Sequence, residues 1–466
     1  MRQKKQLVLR QVEVNDYAAE GKAIARVDGK VVFIQGAVPG DIVDVKLVKS
    51  KKDWAEGKIL EILKPSEKRI APFCRHFGVC GGCKWQMVPY EEQTKFKQRE
   101  VEEHLKRIGK VELPQMEPIL GATKTRFYRN KLEYTFSSRK YLTDDDFREN
   151  GRSDDPALGY HVPKWFDKVI DISECYLQEE PSNQIRNAVR EIALQRGLSF
   201  YDIRNHTGWL RNLVIRYANT GELMVNLCLG YEDMENGKMV FDELISMFPG
   251  ITTLLYTINP KLNDTIYDLD PVVYYGKGFI IEELEGFQFK IGPKSFFQTN
   301  TSQGLELYKI TREFAELTGR EVLYDLYCGT GSIGIFCSGN AKRVIGVETI
   351  SEAVEDARVN AEMNGVHHSQ FFQGDVTDIC TPDFFENYGR PDIVITDPPR
   401  AGMHEKLVKT LLEISAPIIV YVSCNPATQA RDLQLLDEKY KVTRMRPVDM
   451  FPHTHHIENV VQLKLK

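Results

Sequence analysis

Two residues near the C-terminal end of the chain, Cys424 and Glu458, have side chains that can do covalent chemistry. Cys424 ends the apolar run IIVYVSC, and helix-type residues follow from Ala427. A helix that begins there would lower the pKa of the thiol and favour a nucleophilic thiolate. Glu458 ends the loop sequence DMFPHTHHIE, and a carboxylate in a desolvated pocket can reach the pKa range of a general base. Each residue also has a plainer interpretation, Cys424 as a core residue and Glu458 as a surface acid.

A glycine-containing turn, DLYCGTG at residues 325–331, predicts a binding site for a nucleoside cofactor. Gly329 and Gly331 lie between a predicted strand and a predicted helix, where the backbone can approach a ligand closely. Glu348 ends the next predicted strand, and its carboxylate can accept hydrogen bonds from ribose hydroxyls. The third glycine of the dinucleotide fingerprint is missing, which argues against NAD. With DPPR at 397–400, the turn resembles class I S-adenosylmethionine (SAM) methyltransferases, and this resemblance implies SAM as the cofactor.

A group of cysteines near the N-terminal side predicts a metal site. FCRHFGVCGGCKWQ places Cys74, Cys80 and Cys83 in a C-x5-C-x2-C pattern, and Cys175 in DISECYLQ is the candidate for a fourth ligand. Soft thiolates bind zinc or an iron–sulfur cluster. Zinc more typically takes two C-x2-C pairs, so three clustered cysteines and a remote one favour a [4Fe–4S] cluster, with zinc as the alternative. Four thiolates leave no iron open for chemistry, and we therefore expect a structural role.

The predicted elements divide the chain into three parts. From residue 291 onwards, apolar strands alternate with helices, which predicts an α/β Rossmann-like domain over 291–466 with a parallel, doubly wound sheet. Residues 1–66 read as short strands separated by Gly, Pro and Asp turns, as in a small OB-like β-barrel. The section 67–290 is mixed α+β. The sequence thus predicts a multidomain protein whose central domain carries the metal cluster.

Several local predictions fall in the central section. EEQTKFKQREVEEHLKRIG has the period of a helix, and TRFYRNKLEYTFSS alternates like a strand. LVIRYANTGELMVNLCLG is a hairpin with its turn at 219–221. The acidic segment 141–159 reads as an exposed loop.

Charge is distributed unevenly along the chain. Residues 1–140 carry 29 Lys and Arg against 18 Asp and Glu, and the remainder carries 32 against 48. A basic front part favours binding of a polyanion, most simply a nucleic acid, although an idle basic surface has the same composition. Nine cysteines without a recognisable secretory leader indicate a reducing, cytoplasmic location. No apolar run is long enough to span a bilayer, so we expect no membrane partner.

The motifs taken together resemble a known family. EGKAIARVDGKVVFIQGAVPGDIVDVKL is similar to the TRAM domain of RNA-modifying enzymes. The sequences SFFQTN (295–300), DLYCGTG, DPPRAG, SCNPATQARD (423–432) and FPHTHHIE (451–458) occur in the order seen in RNA uracil-5 methyltransferases. The resemblance implies that Cys424 is the nucleophile and Glu458 the proton acceptor. It implies further that Gln298, Tyr327, Glu348 and Asp397 contact SAM, and that Cys74, Cys80, Cys83 and Cys175 hold a [4Fe–4S] cluster.

The chemistry of uracil explains why such an enzyme needs a cysteine. C5 of uracil is a poor nucleophile, and addition of a thiolate to C6 converts the ring to an enolate that can accept the methyl group at C5. A base then removes the C5 proton so that the thiol can leave. The adjacent Phe296 and Phe297 offer a stacking face for a flipped base, or else pack in the core.

The resemblance also leads us to expect a monomer whose partner is RNA. The family divides between 23S ribosomal RNA and the T-loop uridine of transfer RNA. The combination of a TRAM domain with cluster cysteines favours ribosomal RNA, and transfer RNA is the alternative.

Three further functions remain open on the sequence alone. A methyltransferase acting on an exocyclic amine would use Asp397-Pro398-Pro399 and would not need Cys424. A non-catalytic RNA-binding protein would leave the motifs after residue 295 unexplained. An iron–sulfur redox enzyme would need an open iron or a second redox cofactor.

Overall fold

The computed structural model describes residues 7–151 and 155–466. Its N-terminal part is a six-stranded sheet with strand order β1-β5-β6-β4-β3-β2. Its strands are β1 (Val8–Glu13), β2 (Asp16–Tyr17), β3 (Ala23–Val27), β4 (Lys30–Gln35), β5 (Ile42–Ser50) and β6 (Trp54–Lys64). Alternation of side chains turns Val32 and Ile34 inward, where both are buried. The strands share one small core, to which Trp85, Met87 and Val88 of the following segment also contribute.

A helix, α1 (Tyr90–His104), continues into a π-helical turn over Leu105–Gly109, and its Phe96 packs against Tyr17 of this sheet. The sequence assigns α1 to the central section, but its buried Val101 and Leu105 pack with Leu407 and Leu433 of the C-terminal part. The segment after α1 also joins that part, because Leu120 pairs with Val448. The chain between residues 90 and 120 is therefore docked on the C-terminal sheet.

The central part is a seven-stranded sheet with strand order β13-β12-β11-β10-β7-β8-β9. Its strands are β7 (Lys131–Ser137), β8 (Ala157–His161), β9 (Val169–Asp171), β10 (Leu210–Tyr217), β11 (Leu223–Leu229), β12 (Thr253–Ile258) and β13 (Val272–Gly276). Helices α2 (Asp144–Asn150), α3 (Ser182–Gln195) and α4 (Met234–Met247) accompany them. The predicted hairpin is confirmed, because β10 and β11 pair antiparallel on either side of 219–221.

Helix α2 lies in a segment for which the sequence predicts an exposed loop. Thr143 caps the helix by accepting from the backbone N–H of Asp146 at 3.1 Å, and the Asp146 carboxylate accepts from the Thr143 N–H at 2.9 Å. This reciprocal pair satisfies two donors that a helix start otherwise leaves open. The loop prediction is wrong for 144–150 and also for 157–159, which begin the strand β8 and are buried. Its part at 152–154 lies outside the described residues.

The C-terminal part is introduced by the hairpin β14 (Ile280–Leu284) and β15 (Phe287–Ile291) and is built on a sheet of order β18-β17-β16-β19-β20-β22-β21. The strands are β16 (Val322–Leu326), β17 (Arg343–Glu348), β18 (Ser369–Gln373), β19 (Ile393–Thr396), β20 (Ile418–Ser423), β21 (Tyr440–Val448) and β22 (Glu458–Leu465). The helices are α5 (Thr301–Ala315), α6 (Ser332–Cys337), α7 (Ser351–Met363), α8 (Val376–Ile379), α9 (Pro382–Tyr388), α10 (Glu405–Ile414) and α11 (Pro426–Leu436). Five strands are parallel, and β22 runs antiparallel to β20.

Burial on both faces explains the composition of these strands. In β20 every residue after Ile418 is buried, which is why its sequence is an unbroken apolar run and not an alternating one. The predicted α/β architecture of the C-terminal part is confirmed. Ligands of such sheets bind at the carboxyl ends of the parallel strands.

Candidate active site

The sequence-predicted side chains of the C-terminal part meet at one edge of its sheet. Tyr327, Asp397 and Cys424 each follow directly on a parallel strand, and Glu348 is the last residue of another. Strand β22 runs in the opposite direction, so its first residue, Glu458, lies at the same edge. One edge of the sheet thus collects five of the six residues that the sequence predicts for catalysis and for SAM.

Cys424 and Glu458 are placed side by side by strand register. Strands β20 and β22 pair Ser423 with Asn459, and Cys424 and Glu458 are the next residue on each strand. Neighbouring strands are about 4.8 Å apart, which brings the thiol and the carboxyl into the same pocket. Glu458 is buried, while Cys424 keeps partial exposure at the edge.

The environment of Cys424 holds its thiol protonated. Burial, followed by the nearby Glu458 and Asp397, raises the pKa of Cys424 to about 11, while Arg400 opposes this shift. Helix α11 does begin just after Cys424, at Pro426. The expectation that this helix lowers the thiol pKa is nevertheless wrong, because desolvation and two carboxyl groups outweigh the helix N-terminus.

Buried carboxyl groups dominate the electrostatics of this edge. Burial raises the pKa of Asp397 to about 7 and, reinforced by Asp397 and Glu348, that of Asp325 to about 7. Burial and then Asp397 raise the pKa of Glu458 well above its usual value, and Arg400 opposes them. So many desolvated acids in one place would be stabilised by a ligand that carries positive charge.

The glycine turn between β16 and α6 is built from residues in unusual backbone conformations. Tyr327, Gly329 and Gly331 all have positive φ, at 61°, 52° and 75°. A Cβ added to Gly331 would lie 3.0 Å from the side chain of Ala357, so this turn has no room for one. The Glu348 carboxylate accepts from the Gly329 N–H at 3.1 Å and thereby ties the end of β17 to the turn.

The loop that carries Arg400 is held by the first turns of α11. Asn425 Nδ2 donates to the Arg400 carbonyl at 3.0 Å, and Arg431 donates to the Ala401 carbonyl at 3.0 Å. The buried Asp432 accepts from the Met403 N–H at 2.8 Å. The helix that follows Cys424 therefore also fixes the loop that follows Asp397.

The loop before Glu458 is fixed from the other side by α1 and the cysteine-containing segment. Lys97 is fully buried and its Nζ donates to Asp449 at 2.6 Å. The backbone N–H of Lys84 donates to the His453 carbonyl at 2.7 Å. Burial lowers the pKa of His456 to about 3, so His456 Nδ1 is free to accept from Arg400 at 3.1 Å.

Gln298, the remaining predicted cofactor residue, lies on a loop that the central sheet holds in place. The buried Asn130 donates from Nδ2 to the Gln298 carbonyl at 3.0 Å and from its N–H to the Thr299 carbonyl at 2.9 Å. Arg216 on β10, also buried, donates to the Ser295 carbonyl at 2.6 Å. In the same loop Phe296 is 69% exposed, whereas Phe297 is 3% exposed. Only Phe296 is therefore available to a ligand.

The four cysteines of the predicted metal site line one cavity. The cavity measures about 30 Å³ and also contacts Tyr160 and Gln86. Burial raises the pKa values of all four thiols, to about 12 for Cys80 and about 11 for Cys83, and the neighbouring thiols add to the shift at Cys74, Cys80 and Cys83. Among residues 7–151 and 155–466, however, no three His, Cys, Asp or Glu side chains are arranged so that they could hold a metal ion.

Four further residues belong to the site: Arg400, Asp325, Asn130 and Arg216. Arg400 and Asp325 lie inside motifs that point to the site, so DPPR and DLYCGTG were a signal for them. Asn130 and Arg216 have no such signal, because they come from the central sheet, far from Gln298 in the sequence.

Three family models match the chain. Residues 384–466 match the tRNA (Uracil-5-)-methyltransferase model, residues 9–60 the TRAM domain, and residues 304–419 the methyltransferase small domain. A protein of Bacteroides thetaiotaomicron described as an uncharacterized RNA methyltransferase is 55% identical over 96% of this chain and 100% of its own length. The chain belongs to the RNA uracil-5 methyltransferase family.

Further relatives of this uracil-5 methyltransferase agree with the assignment. A Porphyromonas gingivalis protein with the same description is 51% identical over 97% of the chain and 99% of its own length. The crystal structure of Pyrococcus abyssi tRNA (uracil-54, C5)-methyltransferase with S-adenosyl-L-homocysteine matches 98% of this chain and 100% of its own, at 27% identity and a TM-score of 0.75. The protein is an SAM-dependent RNA methyltransferase with an N-terminal TRAM domain. No helix among the described residues has the length and apolar character needed to cross a membrane.

Proposed function

We propose that this enzyme methylates C5 of a uridine in 23S ribosomal RNA through a covalent adduct with Cys424. The Cys424 sulfur bonds to C6 of the uracil, and C5 takes the methyl group of SAM, which leaves as S-adenosylhomocysteine. Glu458 then accepts the C5 proton, the C6–S bond breaks, and the thiolate is restored. The neighbouring positions of Cys424 and Glu458 across β20 and β22 carry this proposal.

The raised pKa of Cys424 means that the thiol must pass its proton to water at this partly exposed edge before attack. Arg400 is the cation whose charge favours the thiolate, and α11 holds the loop that carries it. The raised pKa of Glu458 keeps this carboxyl protonated in the free enzyme. The positive charge of bound SAM would favour its carboxylate form, which can then accept the C5 proton. The two shifts thus support different roles for the two residues.

SAM would bind between the glycine turn and the 295–300 loop. We assign Gln298, Tyr327, Glu348 and Asp397 to it, with Glu348 facing the ribose hydroxyls. SAM carries a positive sulfonium and a positive ammonium group, which complement the buried Asp325 and Asp397. The exposed Phe296 would stack on the flipped uracil.

Transfer RNA is the second candidate substrate. The solved structure from Pyrococcus abyssi, which matches almost the whole chain, is that of a tRNA (uracil-54, C5)-methyltransferase. The preference for 23S ribosomal RNA rests on the TRAM domain and the cysteine pattern.

A 5-fluorouridine trap tests both the mechanism and the substrate. The protein is incubated with SAM and RNA fragments from 23S ribosomal RNA or transfer RNA that contain 5-fluorouridine, and a denaturing gel is run. Fluorine cannot leave C5 as a proton does, so the adduct persists as a shifted band that Cys424→Ala abolishes. The RNA that gives the band is the substrate. Methyl transfer without any adduct would instead favour an exocyclic amine as the acceptor.

We propose further that Cys74, Cys80, Cys83 and Cys175 hold a [4Fe–4S] cluster, with zinc as the alternative. Their four thiols face one cavity, which supports a common ligand, although they do not form a ligand set as they stand. Such a cluster would contribute stability and take no part in methyl transfer. Iron, sulfide and zinc analysis of protein purified without oxygen tests this, with Cys80→Ser as the comparison.

The domain division that we propose is 1–66, 67–290 and 291–466, with 90–120 docked on the last. The first two parts would grip the RNA through its phosphates and unpaired bases.

A further inference from the structure

The turn between β8 and β9, residues 162–168, exposes two aromatic side chains in a row. We define this turn as the hairpin tip. Trp165 is 54% exposed and Phe166 is 68% exposed, although both types normally bury most of their surface. Among the described residues they are the only adjacent pair of aromatic side chains exposed to this degree.

The hairpin tip is held in one conformation by its own backbone. The Val162 N–H donates to the Lys168 carbonyl at 2.8 Å, and the Trp165 N–H donates to the Val162 carbonyl at 3.0 Å. Outside the turn, Arg204 Nε donates to Asp167 at 2.6 Å. Lys164 has a φ of 72°, in the region that favours glycine, and a turn selected for stability alone would place glycine or asparagine there.

The charge of the hairpin tip is positive. Its one acid, Asp167, is paired with Arg204, and the adjoining Asp171 is paired with Arg190. Lys164 and Lys168 have no carboxylate partner in the part of the chain that the structure describes. Two flat aromatic faces between two unpaired lysines suit unpaired bases on a phosphate backbone.

The hairpin tip lies close to the active-site loop through the cysteine-containing segment. An added Cβ on Gly81 would be 3.0 Å from the His161 carbonyl at the end of β8. Three residues later, Lys84 donates to His453, on the loop that leads to Glu458. Three residues of chain span at most about 10 Å, so the base of the hairpin tip at His161 lies near the loop that leads to Glu458. A few nucleotides beside a uridine in the pocket would bridge the remaining distance to the tip.

We propose that Trp165 and Phe166 stack on unpaired bases of the substrate RNA that lie beside the target uridine, while Lys164 and Lys168 contact its phosphates. The proposal deepens the RNA methyltransferase function and does not depend on which RNA is the natural substrate. The central sheet would then take a direct part in substrate selection, because the hairpin tip would favour RNA that is single-stranded next to the target uridine.

Intrinsic fluorescence tests this contact with a defined probe. The chain has four tryptophans, of which Trp85 and Trp209 are buried. Trp54 on β6 is partly exposed, and all samples therefore carry Trp54→Phe so that Trp165 is the exposed reporter. A short single-stranded RNA of mixed sequence should quench the fluorescence of the full-length protein, and Trp165→Phe should remove most of the quenching but keep the affinity. The same sequence as a duplex should quench far less. Undiminished quenching in Trp165→Phe would overturn the proposal.

Steady-state kinetics provide a second test of base stacking. They use the RNA that the wild-type enzyme methylates. The double variant Trp165→Ala/Phe166→Ala should raise KM for RNA about tenfold, which corresponds to about 1.4 kcal/mol, and leave kcat and KM for SAM unchanged. Tyr275→Ala is the matched control, because Tyr275 is 45% exposed on β13 at the opposite edge of the same sheet. An unchanged KM for RNA would refute base stacking and leave the pair as a surface for a protein partner. If the wild type methylates the RNA in the same assay, the proposed function holds, and an unchanged KM in the variant then counts against base stacking alone.

Discussion

Burial raises the thiol pKa of Cys424 and of all four cysteines of the cavity, in very different surroundings. Burial raises the pKa of Cys424 to about 11, close to the values of about 12 for Cys80 and about 11 for Cys83. Cys424, however, lies beside Glu458, Asp397 and Arg400 at the edge of a sheet, whereas the four cysteines mainly face one another around a small cavity.

The difference shows that the neighbours of a thiol decide its chemistry more than its resting pKa does. A thiol with a cation, a base and access to ligand can be deprotonated when substrate arrives and can later leave. The cavity thiols have Arg129, Arg186 and Glu174 near them, but their main titratable neighbours are one another, and a shared metal is the ligand that would ionise them together.

The largest expected effect comes from removing the thiol of Cys424, which tests whether this cysteine differs from the cavity cysteines in its role. Cys424→Ala should lower kcat by a factor on the order of 10⁴ or more, because the ring is no longer activated. Turnover of the natural RNA with radiolabelled SAM measures the loss. Cys380→Ala, which removes a buried cysteine elsewhere in the same part, is the control. Residual activity within tenfold of the wild type would contradict a nucleophilic role.

The second prediction removes the base and keeps the shape of the pocket. Glu458→Gln should lower turnover by about 10²- to 10⁴-fold, because nothing accepts the C5 proton. The methylated adduct should then accumulate with ordinary, unfluorinated RNA and appear as a shifted band on a denaturing gel. Slow turnover without any adduct would assign Glu458 to an earlier step.

The third prediction addresses the cavity. Cys80→Ser should abolish bound metal and destabilise the protein by roughly 3–5 kcal/mol, while kcat per folded molecule stays within about threefold. Metal analysis, thermal unfolding and kinetics on the same sample measure the three quantities. A kcat loss as large as that of Cys424→Ala in folded protein would erase the distinction between the two cysteine groups.

The fourth prediction concerns a buried carboxyl outside both groups. Burial raises the pKa of Glu282 from 4.5 to about 7, and Glu282 accepts from Asn130 at 3.2 Å and Thr301 at 3.1 Å behind the 295–300 loop. The folded protein therefore binds the proton of the Glu282 carboxyl more tightly than the unfolded chain does. The stability gained from this proton is fully present below pH 4.5 and is lost as the pH rises to 7.

Glu282→Gln should therefore flatten the dependence of unfolding free energy on pH between 5 and 7.5, by up to about 3 kcal/mol. Chemical denaturation at several pH values measures the change, and Glu283→Gln on the exposed side of the same strand is the control. An unchanged slope would mean that Glu282 ionises normally in the folded protein. KM for SAM, measured on the same variant, reports whether the loop with Gln298 has moved.

Much of the site could be predicted because its residues end elements that have clear local patterns. The apolar run of β20 places Cys424 at a strand end, and the turn 325–331 places Tyr327 and the glycines at another. Parallel strands must align their carboxyl ends, so these residues had to meet at one edge. The loop prediction is wrong at 144–150 because Thr143 and Asp146 cap each other's backbone and so stabilise a helix start in an otherwise polar segment.

Sequence alone determined the class of this protein, the alternation of its C-terminal elements and the residue types that its chemistry needs. Only the tertiary structure decided the pKa of Cys424, the docking of α1 on the C-terminal sheet, and the support that Asn130 and Arg216 give to the 295–300 loop. The reason is physical: local patterns follow from backbone geometry and burial of one face. Desolvation and long-range hydrogen bonds depend on residues that are brought together from distant parts of the chain.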